Sequence, residues 1–342
     1  MKINFWVFAL LFLFAVNASI AQTHKKLPVI DMHLHALAAD DQGPPPVKVG
    51  SPFDQFGSHD PKSDYGQTFM EALKTGKWAK QNSISPESDD SLKVQTLRAL
   101  NEYNVFAVTS GDIAMVRKWH QADSKRIINA IYWDFAYAKQ KGVGIDSLKK
   151  LFKSNEFKVF GEVGIQYEGF SPSDTSFEPF LKMAEELDVP VGIHVGPGPP
   201  GVIYLGSSNY RASLHSAFVL ENALAKHPKL RVYAMHAGWP LIDDMIATLY
   251  AHPQLYVDLG LISFAVPEKE YYYYLERLVN AGFLNRIMFG SDNMVWPGTI
   301  KIAIDRINRA KFLSESQKRD ILFNNAAKFL RLTENEIKKM YE

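Results

Sequence analysis

The chain has 342 residues and no cysteine. Disulfides are therefore excluded as the support of the fold, and any metal site must be built from histidine and carboxylate ligands. A lipid-anchored exported form is excluded too, since it needs a cysteine at the cleavage point. An excess of charge of one sign is also missing, with 38 Lys and Arg against 37 Asp and Glu. No long basic block remains to track phosphates or an anionic membrane, so nucleic acid is not an expected partner. Nor is there an apolar run of the ~20 residues that span a bilayer. The run from Phe5 to Val16 follows Met1-Lys2, is closed by Asn17 and leads into Ser19-Ile20-Ala21. That is the layout of a secretory leader. The expectation is a signal peptide over residues 1–21, cleavage after Ala21, and a periplasmic or secreted chain of one domain over residues 22–342 without stable membrane insertion.

What is present alternates. Short β-branched and apolar runs recur at Val29 to His33, Val105 to Thr109, Arg126 to Trp133, Val159 to Gly164, Val191 to Val195, Arg231 to His236, Leu255 to Leu259 and Arg286 to Phe289. Between them, Leu92, Thr96, Leu100 and Tyr103 have helical spacing, as do Phe177, Phe180, Leu181, Ala184 and Leu187 after an expected capping box of Thr175 and Glu178. Eight rounds of strand and helix predict a (β/α)8 TIM barrel, with a doubly wound open sheet as the alternative. Two connections are long: Ala36 to about Ser91, with a short helix expected within Gln67 to Lys80, and Gly196 to Leu214, which carries GPGPPG. Both follow strands, the first and the fifth. In a barrel they lie at the C-terminal rim, either as walls of a site or as surface insertions. The Tyr271 to Tyr274 run reads as a helix face or as a subunit contact in a homo-oligomer.

The first strand, VIDMHLHAL, holds Asp31, His33 and His35 at every second position. With a side-chain period of two they share one face, opposite Met32 and Leu34. An HxH pair on a strand is more often packed and hydrogen-bonded than metal-bound. Four later strand ends add weight: Glu162 in FGEVG, His194 in GIHVG, His236 in AMHAG and Asp292 in FGSDN. Burying so many titratable groups together costs several kcal/mol per charge unless something pairs them. A cation at their centre does.

At these residues the sequence resembles the amidohydrolase superfamily, and most of all its amidohydrolase-related branch of hydrolases, lactonases and decarboxylases. The motifs are the DxHxH opening at Asp31 to His35, PVGIHVG at 190–196, VYAMHAG at 232–238, RIMFGSDN at 286–293 and the late ILFNNAAKFLRL. GEVG also resembles the fourth-strand motif of TatD-type deoxyribonucleases. The resemblance implies that His33, His35 and Asp292 hold a first divalent metal and that His194 is a shared or second-site ligand. His236 is then a ligand or a hydrogen bonder to the substrate oxygen. Glu162 stands where many relatives carry a carboxylated Lys and some a bridging Glu. FGEVG contains no Lys, which excludes a carbamate bridge, and one or two ions remain open.

Imidazole with carboxylate suits Zn²⁺ best and Mn²⁺ or Fe²⁺ less well. Such an ion lowers the pKa of a coordinated water toward ~7 and polarises carbonyls, with Asp292 beside it as proton acceptor. The leading expectation is hydrolysis of a carboxylic ester, lactone or amide in a small-molecule substrate. Non-oxidative decarboxylation, phosphodiester cleavage and a non-catalytic binding protein are the alternatives. Arg211 is a candidate clamp for a substrate carboxylate, and Trp133, Asp134, Tyr204 and Trp296 are candidate pocket walls, each against an ordinary surface or packing role.

Overall fold

The computed structural model describes residues 26–342, and the leader expected over residues 1–21 lies outside them. Eight parallel strands are ordered around one sheet as they are in the chain. They are β1 Val29–Ala36, β2 Val105–Gly111, β3 Ile127–Trp133, β4 Val159–Val163, β5 Val191–His194, β6 Val232–Met235, β7 Leu255–Asp258 and β8 Ile287–Met288. The end of the sheet returns to its start. Met32 N donates to Phe289 O at 2.9 Å and His35 N to Asn293 O at 3.0 Å, and Leu34 bridges Asn293 in parallel. The result is a nearly closed (β/α)8 barrel, as the sequence predicts, and not an open sheet. None of the helices among the described residues is long and apolar enough to cross a membrane.

The period of two divides the apolar residues between two layers. Val105, Ile131, Phe160, Ile193, Val232 and Val257 join the helices in the outer core, while Ile30, Met32, Phe106, Ala130, Val159, Tyr233 and Met288 meet in the barrel lumen. Phe323, Ala326 and Phe329 of the late ILFNNAAKFLRL motif pack on that lumen cluster.

At β1 the alternation breaks. The register pairs Asp31 with Ala107 and Leu34 with Thr109, so β1 carries one residue more than β2 across that step. Bulges of this kind re-aim side chains next to active sites. Here Met32 lies in the lumen cluster and His33 follows it into the site, so the expected opposition of Met32 to His33 is not observed. Asp31 turns to the β8–β1 seam, where Oδ1 accepts from Ser291 N at 2.9 Å and His33 N at 3.0 Å. Strand β4 has a second such shift between Phe160 and Val163, around Glu162.

The connection after β1 holds a two-stranded antiparallel ribbon, Lys48–Gly50 with Asn82–Ile84, and a helix over Tyr65–Thr75 capped by Asp64. The Tyr65 hydroxyl donates to Pro200 O at 2.6 Å, which ties this connection to GPGPPG after β5. The helix Glu178–Glu186 begins after Phe177 with no side-chain cap. Thr175 therefore forms no capping box, because the helix starts too late for its hydroxyl to reach a free N–H. Tyr271 and Tyr274 are buried faces of the helix Glu268–Asn280, while Tyr273 is exposed.

Candidate metal centre

The C-terminal ends of five strands bring His33, His35, Glu162, His194, His236 and Asp292 together, all of them buried. Beyond the ends of β6 and β8 the backbone makes sharp left-handed turns at His236 (φ 62) and Asp292 (φ 48). Conformations of this kind are costly for residues other than glycine and cluster at functional sites.

Each histidine has one nitrogen committed outward. His33 Nδ1 lies 3.2 Å from Asp258 Oδ2, and His35 Nδ1 lies 3.1 Å from Ser110 Oγ. His194 Nδ1 lies 2.7 Å from Gln166 Oε1, and His236 Nδ1 lies 3.0 Å from Gly260 O. An amide oxygen and a peptide carbonyl are acceptors only, so they hold the Nδ1 proton of His194 and His236, while the charge of Asp258 favours a proton on His33 Nδ1 across a contact that lacks hydrogen-bond geometry. The lone pair is then left on Nε2, the orientation that outer partners impose on metal-ligating histidines. A Cβ on Gly260 would stand 2.6 Å from His33 Nδ1, so only glycine lets β7 approach that ring.

The inward atoms converge. His33 Nε2 and His35 Nε2 are 3.1 Å apart. Glu162 Oε2 is 3.5 and 3.2 Å from them, and Asp292 Oδ1 is 3.4 and 3.0 Å from them. Four ligands at about 2.1 Å from a zinc ion, at the corners of a tetrahedron, are about 3.4 Å apart. The three distances among His33, His35 and Asp292 are close to that edge, and these residues form one group that could hold a divalent cation, while His33, Glu162 and His236 form another. The other oxygen of Glu162, Oε1, lies 3.8 Å from His194 Nε2, and the rings of His194 and His236 are 4.5 Å apart.

The electrostatics of the cluster call for added positive charge. Burial pushes His33 down, but Asp292, Asp258 and Glu162 raise it well above the usual imidazole range. His35 follows the same pattern, with burial overcome by Asp292 and Glu162 and the group pushed up to about 9. Burial would raise Glu162, but His33 and His35 hold it well below the usual carboxylate range. His194, away from most of the carboxylates, is pushed well below its ordinary value by burial and by His236. Among the described residues no Lys or Arg forms an ion pair with Glu162, Asp258 or Asp292. Protons on His33 and His35 thus stand in for a cation.

The substrate-wall candidates fare differently. Trp133 is fully buried, donates to Val143 O at 3.0 Å and packs on Phe160, Phe177 and Phe180. It shares the outward face of β3 with Ile131, so it cannot line the mouth. Trp296 is buried and donates to Val47 O at 3.1 Å, anchoring the ribbon. Asp134 caps the helix Phe135–Lys141 through Tyr137 N at 2.6 Å and accepts from Tyr132 at 2.7 Å. Arg211 is exposed, with Nη1 spent on Ser208 O and Tyr210 O. Tyr204 is 66% exposed beside His59 and Tyr65 on the rim.

Several residues of the site escape sequence reasoning. Asp258 ends LYVD on β7, so the strand-end rule that finds Glu162 would find it too. Gln166, Ser110 and Tyr167 carry no such signal. Burial, Glu162 and Tyr210 raise the Tyr167 hydroxyl well above the usual phenol range.

A parallel eight-stranded barrel carries its active site at the C-terminal rim, and here the histidines and carboxylates that converge on that rim could hold a divalent metal. The amidohydrolase family model matches residues 30–332, and the chain belongs to that family. No curated protein matches the sequence. Among solved structures, an uncharacterized TIM-barrel protein from Bordetella bronchiseptica is similar at 13% identity and a TM-score of 0.57, over 91% of this chain and 100% of that one. A 2,6-dihydroxybenzoate decarboxylase bound to 2,6-dihydroxybenzoate is 14% identical with a TM-score of 0.54, over 90% and 99%. A probable 2-pyrone-4,6-dicarboxylic acid hydrolase from Acinetobacter baumannii gives 14% and 0.54, over 90% and 100%. Likeness at this identity carries the fold alone.

Proposed function

We propose that the protein is an exported metal-dependent hydrolase that cleaves a carboxylic ester, lactone or amide, acting as one domain over residues 22–342 after loss of the leader. The observation that carries this reading is the orientation of Glu162, whose Oε2 faces His33 and His35 while Oε1 faces His194. A carboxylate spanning two histidine sets suits a pair of cations, with zinc favoured by the donor set over manganese or iron. Such ions supply Lewis acidity toward water and a carbonyl oxygen. In this reading Asp292, whose Oδ1 lies in the cluster, accepts the proton of the attacking water and returns it to the leaving group. His236 is held by Gly260 O and offers Nε2 as a ligand, or as a donor to a substrate oxygen when protonated.

Decarboxylation and phosphodiester cleavage act on anions. No Lys or Arg pairs with the cluster among the described residues, and the Nη1 of Arg211 is turned to backbone carbonyls, so neither reading has an observation of its own.

Metal analysis of protein purified without chelator from zinc- and manganese-supplemented cells tests the centre. Two equivalents support the bridged pair and one a mononuclear site; well under one ends the enzyme reading. A screen of lactones, esters, N-acyl amides, aryl carboxylates and phosphodiesters tests the reaction. Carbon dioxide release from an aryl carboxylate without any hydrolysis would overturn the hydrolase.

A further inference from the structure

We infer that the hydroxyl of Tyr167 is a substrate-facing hydrogen-bond donor, freed for that role when a cation takes Nε2 of His194. The identity of its acceptor, a carbonyl oxygen turning into an oxyanion, rests on the hydrolase reading above. Tyr167 follows β4 by four residues and stands over the centre, its ring 4.6 Å from that of His194 and 5.6 Å from that of Tyr210. A Cβ on Gly198 would stand 2.8 Å from Tyr167 Cε1, so GPGPPG closes over the ring without room for a side chain.

The direction of the bond to His194 follows from Gln166. Its Nε2 donates to Gly196 O at 3.0 Å, which fixes the amide so that Oε1 faces His194 Nδ1 at 2.7 Å. Nδ1 therefore carries the proton and Nε2 the lone pair. The Tyr167 hydroxyl, 2.9 Å from Nε2, must be the donor.

Three phenols surround this part of the mouth, and two of them have fixed acceptors. Tyr132 donates to Asp134 at 2.7 Å. Tyr210 bonds Gly196 O at 2.8 Å and His215 Nε2 at 2.5 Å. The acceptor of Tyr167 is instead the atom that a cation would occupy. Tyr167 is half-buried, so filling the His194 position leaves its O–H without a protein partner and open to the mouth. An oxygen of the substrate restores the bond. The phenol keeps its proton throughout, so nothing is transferred and the charge balance of the reaction is unaltered. The ligand class this selects is a neutral carbonyl compound whose oxygen gains charge, as in an ester or amide.

The test uses the full chain and Tyr167→Phe, which keeps the ring and its packing. Each apoprotein is titrated with Zn²⁺ against a chromophoric chelator, and each zinc-loaded protein with acetohydroxamate, whose carbonyl oxygen stands for that of the substrate. The variant should bind its weakest zinc about fivefold more tightly, since no phenol competes for Nε2, and acetohydroxamate about tenfold more weakly. A tyrosine that only supports the fold would weaken both. Unchanged or weaker zinc binding overturns the inference, as does undiminished acetohydroxamate affinity. The same pair of shifts in Tyr210→Phe also overturns it, because that hydroxyl is already held among protein partners, Gly196 O, Gly198 N and His215 Nε2. Both readouts are binding measurements. A wild-type protein that binds zinc and cleaves no ester, lactone or amide would therefore remove the hydrolase reading while the two titrations still decide the role of Tyr167, whereas one that binds no zinc overturns both.

Discussion

Replacing Asp258 by Asn changes one oxygen into an amide nitrogen on a fully buried side chain. Asp258 Oδ1 accepts from His236 N at 3.1 Å and Gly260 N at 2.7 Å, while Oδ2 lies 3.2 Å from His33 Nδ1. The asparagine has two orientations. Giving its oxygen to His33 would leave two buried backbone N–H groups facing an NH₂, at about 1–3 kcal/mol each. Keeping the oxygen on those two donors sacrifices only the contact with His33. The second orientation is cheaper, and it sets Nδ2–H against Nδ1–H. His33 escapes that clash by moving its proton to Nε2, the atom that points at the centre. Loss of an outer partner of this kind lowers metal affinity about 10- to 100-fold, or about 1.4–2.7 kcal/mol. Competition with a chelator of known affinity reads the change directly, with the melting temperature of the apoprotein as the control for folding. Wild-type affinity in a folded Asp258→Asn protein would refute the assignment of the His33 tautomer, and with it the inward Nε2.

Asp292→Asn should keep most of the metal and lose turnover by orders of magnitude, because an amide coordinates weakly and cannot accept a proton; undiminished activity on the best substrate of the screen would remove Asp292 from the chemistry. Trp133→Ala should cost about 3–5 kcal/mol of stability in denaturant unfolding while leaving zinc affinity unchanged, since its ring belongs to the outer core. A change in affinity without a loss of stability would return it to the mouth. For the apoprotein, His35 is pushed up to about 9 against an ordinary 6.5, so its contribution to stability is complete below pH 6.5 and is lost as pH rises through about 9. Melting temperatures should fall over that interval without metal. Zinc affinity should rise over the same interval, because protons leave the ligand atoms.

The strands were legible because parallel strands buried on both faces read as continuous β-branched runs. The strand-end rule found six of the polar residues that converge. It failed where the period of two is interrupted or where outward and inward ends look alike. The extra residue in β1 puts Met32 and His33 on the same side, and no local signal in DMHLH announces a bulge. Trp133 and Tyr132 are neighbours at the same rim, and the parity that sends Tyr132 inward and Trp133 to the helices depends on pairing with β4. Asp134 reads as a wall residue from its position and as a cap from the helix behind it. Gln166 acts through tertiary proximity of Gly196, which neither spacing nor composition reveals.

The weakest part of the barrel is also where its ligands are concentrated. β8 pairs only Ile287 and Met288 with β7, and the β8–β1 seam rests on a few backbone bonds, including Asp292 N to His33 O at 2.6 Å. His33 and His35 come from β1 and Asp292 from the segment after β8, so a cation held by all three would cross-link the seam. A ligand present at 100 times its dissociation constant adds about 2.7 kcal/mol to stability. If that gain were spread over the fold, chelation would lower protection against hydrogen exchange everywhere. If it acts through the seam, chelation should speed exchange at Met32, His35 and Asp292 N–H and leave those of Phe160, bonded to Pro190 O, and Val191, bonded to Arg231 O, on the far side of the barrel, unchanged in the native baseline. Local opening at the seam costs less than global unfolding, so the two patterns are separable by mass spectrometry of peptides from each region. Uniform loss of protection would mean that the ligands stabilise the centre without closing the barrel.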